Sequence, residues 1–249
     1  MTRFSANLGF LWTELPLTAA IRRAKAAGFD AVEMHWPYDT PAEVAAAALK
    51  EAGVPLLAVN TRKGEAGENG LAALKGREEE ARAAIDEALD WAHEAGASAV
   101  HVMAGRFGDE ETFIANLRYA AEEARDLGKT ILIEPLNSRD APDYFLTEAE
   151  QAAEIITRTG APNIRIMFDC YHLQIMQGDL LRRFEALQPL IGHIQIAAVP
   201  SRKEPDEGEV CYERLLPAME ALGWKGFVGA EYRPRTTTDE GLGWLEKFR

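Results

Sequence analysis

At 249 residues the chain is long for a single β-sandwich and close to the usual length of an eight-fold α/β barrel, so one domain over residues 1–249 is expected. Its formal net charge of −13, from 40 acidic against 27 basic residues, sets long-range repulsion against any polyanion and argues against a nucleic-acid partner. Two cysteines make no disulfide framework and favour a reducing cytoplasmic setting, the opening residues lack the apolar run of a signal peptide, and no stretch of about 18 apolar residues offers a membrane span.

The first strand is read at residues 4–8. An Ala-rich run over 17–27 then forms a helix that Gly28 terminates. Strand two covers 31–34 and leads into His35-Trp36-Pro37-Tyr38. The second helix opens at Thr40-Pro41, a cap followed by proline at the first helical position, and runs to about residue 51, where Gly53 stops it. Residues 54–59 make strand three. The polar, glycine-rich loop over 60–76 is longer than most connections and reads either as a functional segment or as a solvated excursion. A long charged amphipathic helix spans 77–95, strand four 98–103 and the next helix 109–127. In Ile131-Leu132-Ile133-Glu134-Pro135 an aliphatic run, buried on both faces, stops where Pro135 cannot continue a central ladder. Glu134 is therefore expected just beyond the sheet's carboxyl edge. Thr147, with Glu150 three residues later, has capping-box spacing for a helix ending near Gly160. Strand six at 164–169, a helix at 179–187, strand seven at 191–197, an acidic loop at 199–209, a helix ending at Gly223, strand eight at 226–231 and a last helix over about 238–248 complete the chain. Strict strand–helix alternation without a linker predicts a parallel (β/α)8 TIM barrel, with a doubly wound open sheet as the lesser alternative.

In a barrel the carboxyl ends of all strands meet at one rim, which would bring together Glu134, Asp169, Gln195 and Glu231 from strands five to eight. Three crowded carboxylates raise one another's pKa values unless a cation sits among them. Hard oxygen donors fit Mg²⁺ or Mn²⁺ better than zinc. The competing reading keeps the four as separate rim residues bonded to loops or arginines. His172, three residues past Asp169 on a loop, is a candidate to ligate, shuttle a proton or donate to a substrate oxygen, and His35 is a weaker rim candidate. His101 and His193 read as satisfied core residues. Arg202 and Lys203 are the best cations for an anionic substrate group, with the acidic residues of their own loop as rival partners. A glycine-rich nucleotide fingerprint and a Gly-x-Ser-x-Gly elbow are both missing, which disfavours dinucleotide redox and covalent serine chemistry. Trp12, Trp36 and Trp224 are candidates for a homo-oligomer contact or for ordinary packing.

Phe4-Ser5-Ala6-Asn7-Leu8, Glu33-Met34-His35-Trp36-Pro37-Tyr38, His101-Val102-Met103-Ala104-Gly105, Ile133-Glu134-Pro135-Leu136-Asn137, Phe168-Asp169-Cys170-Tyr171-His172, His193-Ile194-Gln195-Ile196-Ala197 and Gly229-Ala230-Glu231-Tyr232 together resemble the hydroxypyruvate isomerase family of xylose-isomerase-like barrels. The resemblance covers essentially the whole chain. It implies that Glu134, Asp169, Gln195 and Glu231 hold a divalent metal and that Glu134 and Glu231 are the paired proton acceptor and donor. Related sugar epimerases usually carry histidine at the position of Gln195, so the match is closer to the hydroxypyruvate isomerase branch. The implied partner is a small hydroxy or oxo acid, converted from hydroxypyruvate to tartronate semialdehyde through an enediolate. Because a cation weakens a carboxylate base, at least one of the two glutamates is expected to bind it through a single oxygen and leave the other free. A four-carbon 2-oxo-tetronate substrate is the nearest alternative, differing by about 1–3 kcal/mol of discrimination. A metal-dependent nuclease would want a basic groove and more histidine ligands. A non-catalytic sugar-acid binder would need no proton acceptor.

Overall fold

Short aliphatic runs bounded by glycines and polar turns become eight parallel strands in the computed structural model of the chain, which describes residues 2–248 and leaves Met1 and Arg249 outside the described residues. The strands β1 (Arg3–Asn7), β2 (Ala31–Glu33), β3 (Ala58–Asn60), β4 (Ala99–His101), β5 (Thr130–Ile133), β6 (Ile164–Asp169), β7 (Ile191–Ile196) and β8 (Phe227–Ala230) lie in the order β2-β1-β8-β7-β6-β5-β4-β3. Backbone hydrogen bonds close the ring between its two ends. The Val32 N–H donates to the Pro55 carbonyl at 3.0 Å, Leu57 N–H to Val32 at 2.9 Å, Met34 N–H to Ala58 at 3.0 Å and Asn60 N–H to His35 at 2.8 Å. The sheet is a barrel, and the open doubly wound alternative falls. Strand three is shorter than the 54–59 expected: Pro55 has no N–H, and residues 54–57 join the ring through this seam and through the Leu56 and Leu57 carbonyls, which accept the Ser98 and Ala99 N–H groups at 3.2 and 2.9 Å.

Around the barrel run α1 (Leu17–Ala26), α2 (Ala42–Ala52), α3 (Glu78–Ala95), α4 (Glu110–Asp126), α5 (Ala149–Thr159), α6 (Cys170–Met176), α7 (Leu180–Leu187), α8 (Tyr212–Ala221) and α9 (Gly243–Lys247). Apolar residues at three- and four-residue spacing set their buried faces; on α3 these include Ala81, Ala84, Ile85, Ala88, Leu89 and Ala92. The capping box at Thr147 does not form. The helix starts at Ala149, the Thr147 N–H donates to the Gln151 side chain at 3.0 Å, and Glu150 is drawn instead to Gln177 and Arg183. Pro41, and not Thr40, occupies the N-cap of α2. The last helix is only five residues long, preceded by a 3-10 turn at Asp239–Gly241. The one unanticipated helix is α6, seven residues springing directly from β6 and too short to show a helical period; the Asp169 carboxylate caps it by accepting the Tyr171 N–H at 2.7 Å.

The period-2 alternation of the strands sorts the core. Ile131, Ile133, Ile166, Phe168, Ile194, Ile196, Val228 and Ala230 pack outward in the main core with the helices, while Leu132 and Met167 join Ala58 and Ala99 in a small cluster inside the barrel. Two residues further along the same inward rows stand Glu134, Asp169, Asn60 and His101. The ladder register Asp169↔Gln195 and Gln195↔Gly229 brings Gln195 to the same level. Trp12 belongs to the core: it is buried, its indole N–H bonds Asp239 at 2.9 Å, and its ring meets Phe29 edge-on. Among the described residues no helix is long and apolar enough to cross a membrane.

Candidate active site

Glu134, Asp169, Gln195 and Glu231 converge at the carboxyl end of the barrel, none more than 5 % exposed. Each keeps one buried oxygen without a hydrogen-bond partner: Oε1 of Glu134, Oδ2 of Asp169, Oε1 of Gln195 and Oε2 of Glu231. Buried polar atoms are nearly always satisfied, so four such oxygens from four neighbouring strands are a donor set suited to a hard divalent cation. Their mutual field is strong. Burial, and then the charges of Glu231 and Asp169, push the Glu134 carboxyl well above the ordinary carboxylate range. Asp169 is pushed up to about 7 by burial and by Glu231, against the pull of Arg202 and the Tyr171 and His172 N–H groups.

His172 lies on α6, not on a loop. Its Nδ1 accepts the backbone N–H of Asn137 at 3.0 Å, which fixes the ring. Its Nε2 turns toward the site, 3.3 Å from the Arg202 guanidinium, 3.6 Å from Asp169 Oδ2 and 3.9 Å from Glu134 Oε1. Glu134, Asp169 and His172 together form a cluster of potential metal-ligating atoms. Burial, and then the neighbouring Arg202 guanidinium and His101 ring, push the His172 pKa well below the usual histidine range. His35 donates from Nε2 to Glu231 Oε1 at 2.7 Å, which engages that oxygen and leaves Oε2 free.

Arg202 takes the left-handed conformation, φ 54°, in the turn after β7. Its guanidinium sits between the rings of Phe10 and Tyr171, 4.8 and 4.9 Å from their centres, with Asp140 at 3.2 Å and Glu231 at 3.8 Å. The same turn leaves Lys203 exposed and outside the cavity, so the paired-cation expectation holds for Arg202 only. The second cation at the cavity is Arg233, two residues beyond Glu231 and 5.7 Å from the Phe10 ring, a residue the sequence reading passed over.

The cavity above these groups has a volume of about 210 Å³. His101 lines it and is not a satisfied core residue: neither ring nitrogen has a partner, Nδ1 is 3.6 Å from Glu134, and burial together with the charge of His35 pushes its pKa down to about 3. Its place two residues beyond inward-facing Ala99 was the available signal. Asn69 reaches the mouth, which puts the loop over 60–76 at the site.

Beneath the four oxygens lies Glu33, also missed, at 2 % exposure. Its Oε2 accepts the Gln195 amide at 2.8 Å, its Oε1 accepts the Ser5 hydroxyl at 2.5 Å, and His193 Nε2 is 3.0 Å from Oε1. His193 therefore faces a buried carboxylate. Burial alone would raise the Glu33 pKa, but the charge and hydrogen bonds of His193, with Ser5 and Gln195, hold it below the ordinary range. A Cβ on Gly229 would come within 2.3 Å of Glu33 Oε1, so the backbone of β8 closes over the carboxylate. Gly229→Ala is expected to cost about 1–3 kcal/mol in thermal unfolding. The control is Gly243→Ala, where an added Cβ meets nothing within 4 Å.

The comparisons agree with this architecture. A family profile described as "Xylose isomerase-like TIM barrel" matches residues 21–248. The 2-oxo-tetronate isomerase of Cupriavidus necator is 43 % identical over 257 residues, spanning 100 % of this chain and 99 % of its own. Hydroxypyruvate isomerase of Escherichia coli is 37 % identical over 258 residues and 100 % of both chains. Among solved structures, one described as AP endonuclease, family 2, from Brucella melitensis superposes with a TM-score of 0.96 at 42 % identity over 100 % of both chains. By profile, by identity along its full length and by its eight-stranded ring, the chain belongs to the xylose isomerase-like TIM barrel family.

Proposed function

We propose that the protein is an isomerase of short 2-oxo acids, interconverting hydroxypyruvate and tartronate semialdehyde by moving a proton between adjacent carbons. The observation that carries this reading is the pair Glu134 and Glu231, two buried carboxylates lining one small cavity, each with a free oxygen. Full-length relatives named for this chemistry support it. Glu134, Asp169, Gln195 and Glu231 are the residues that would hold Mg²⁺ or Mn²⁺, since three anionic oxygens and one amide oxygen suit a hard ion. When bound, such an ion polarises the carbonyl and hydroxyl oxygens of the substrate. Glu134 and Glu231 then remove and return the proton on neighbouring carbons, with the enediolate between the two transfers. Because His35 engages Oε1 of Glu231, Oε2 is the one oxygen this glutamate has to offer either the ion or a proton, so single-oxygen binding with the other oxygen left free falls to Glu134. His172 presents Nε2 to the substrate oxygens, and Arg202 with Arg233 receives the carboxylate.

The relative named 2-oxo-tetronate isomerase favours a second reading in which the substrate has four carbons. The cavity is smaller than the roughly 300–1,000 Å³ of sites for drug-sized ligands, a scale that suits an acid of either length. Nuclease action, the description given to the Brucella structure, is disfavoured by the net charge of −13 and the enclosed acidic floor. Two unbridged cysteines, Cys170 and Cys211, fit a cytoplasmic enzyme.

Proton NMR of the purified protein with Mg²⁺ in D₂O, run separately on hydroxypyruvate and 2-oxo-tetronate, tests the reading. Conversion of one substrate at least ten times faster than the other selects between the two acids. Failure to convert either, with no deuterium entering the carbon next to the carbonyl, rejects the isomerase.

A further inference from the structure

We infer that Glu33 is a positioning residue for the proposed cation site: it holds Gln195 so that the amide oxygen, and not the NH₂ group, faces Glu134, Asp169 and Glu231. This rests on the reading that Gln195 belongs to the donor set. A glutamine amide is nearly symmetric in shape but opposite in chemistry at its two ends, so something must choose which end points where. Here the choice is made from below. Gln195 Nε2 donates to Glu33 Oε2 at 2.8 Å; turned over, the amide would set its own oxygen against a carboxylate oxygen, with no proton between them.

Glu33 is itself held from three sides. Ser5 on β1 donates to Oε1 at 2.5 Å, His193 on β7 approaches the same oxygen to 3.0 Å, and Gly229 on β8 leaves no room for the carboxylate to swing away. Four strands thus combine to fix one acceptor beneath one amide. Burying a carboxylate under a site already crowded with negative charge is costly, and a neutral residue at position 33 would fill the barrel without that cost. The placement makes sense as the support of a ligand whose orientation is otherwise ambiguous.

The test is Mn²⁺ binding to the full-length, metal-stripped protein by electron paramagnetic resonance titration. Glu33→Gln is expected to weaken Mn²⁺ binding by ~10–100-fold, the usual effect of removing a support beneath a metal ligand. In the Gln195→Ala background the same substitution should change affinity by less than about 2-fold, because nothing remains to be oriented. Equal weakening in both backgrounds would assign Glu33 to the general field of the site and overturn the positioning role. Unchanged binding by Glu33→Gln, with normal binding by the unsubstituted protein, would overturn it too. If the unsubstituted protein binds no Mn²⁺, the cation reading fails, and the inference falls with it. Should Glu33→Gln fail to fold, Ser5→Ala keeps the carboxylate but frees Oε1, and it should weaken Mn²⁺ binding several-fold only where Gln195 is present; no weakening there rejects the inference.

Discussion

Glu134→Gln and Glu231→Gln are each expected to lower kcat for the 2-oxo acid by ~10²–10⁴-fold, the range for removing a positioned general acid or base. Glutamine keeps the shape of glutamate and one of its oxygens but cannot take a proton. The two variants should differ in detail. At Glu134 the exchange removes one of three mutually repelling buried carboxylates, so the fold should be retained and the metal-free protein stabilised at alkaline pH. At Glu231 it also replaces the acceptor that His35 reaches at 2.7 Å, so KM should rise alongside the fall in kcat. If the two glutamates serve neighbouring carbons, each variant should still exchange deuterium into one of the two substrates while failing to interconvert them. Near-normal turnover by either variant would sink the paired-carboxylate mechanism.

Stripping divalent cations is expected to abolish turnover, Mg²⁺ or Mn²⁺ to restore it, and the stability of the stripped protein to fall as pH rises. The sign follows from the carboxyls. In the metal-free fold Asp169 is pushed up to about 7 and Glu134 well above the ordinary range, first by burial and then by their charged neighbours. At these two carboxyls the folded state binds more protons than the unfolded chain from about pH 4 upward; His101 and His172, held below the histidine range, oppose them only up to about pH 6.5, and above it stability falls as pH rises through the folded carboxyl pKa values. A bound cation reverses this by favouring the ionised forms. The melting temperature of the stripped protein should thus be lower at pH 8.5 than at pH 7, a window above the histidine range, and added Mn²⁺ should raise it more at pH 8.5. At this chain length about 1 kcal/mol corresponds to a shift of roughly 2–4 °C, well within calorimetric reach. Full activity in stripped protein, or a melting temperature that rises with pH and ignores Mn²⁺, would refute the cation site.

Much of this architecture is local in origin and therefore legible in the chain. Strand positions follow from aliphatic runs such as Ile131-Leu132-Ile133, and glycines such as Gly53, Gly96 and Gly160 end helices because they take the left-handed conformation there. Glu134, Asp169, Gln195 and Glu231 were legible because a polar residue at the end of each of four consecutive apolar strands is a pattern along the sequence, and barrel closure turns that pattern into proximity. Pairings between strands distant in sequence carry no such mark. Glu33 stands in a short strand that reads as ordinary, and only the ring, which sets β1, β7 and β8 around it, reveals it as the acceptor for Gln195, 162 residues away. The fates of Arg202 and Lys203 were likewise undecided by composition, since a left-handed turn after β7 sends one inward and the other to solvent. Periodicity and strand-end chemistry thus determined the barrel, its rim and the acidic floor, because both act over a few residues. Side-chain direction at turns and hydrogen bonding across the barrel were decided only in the tertiary structure, where charges far apart in the chain come within a few ångströms of one another.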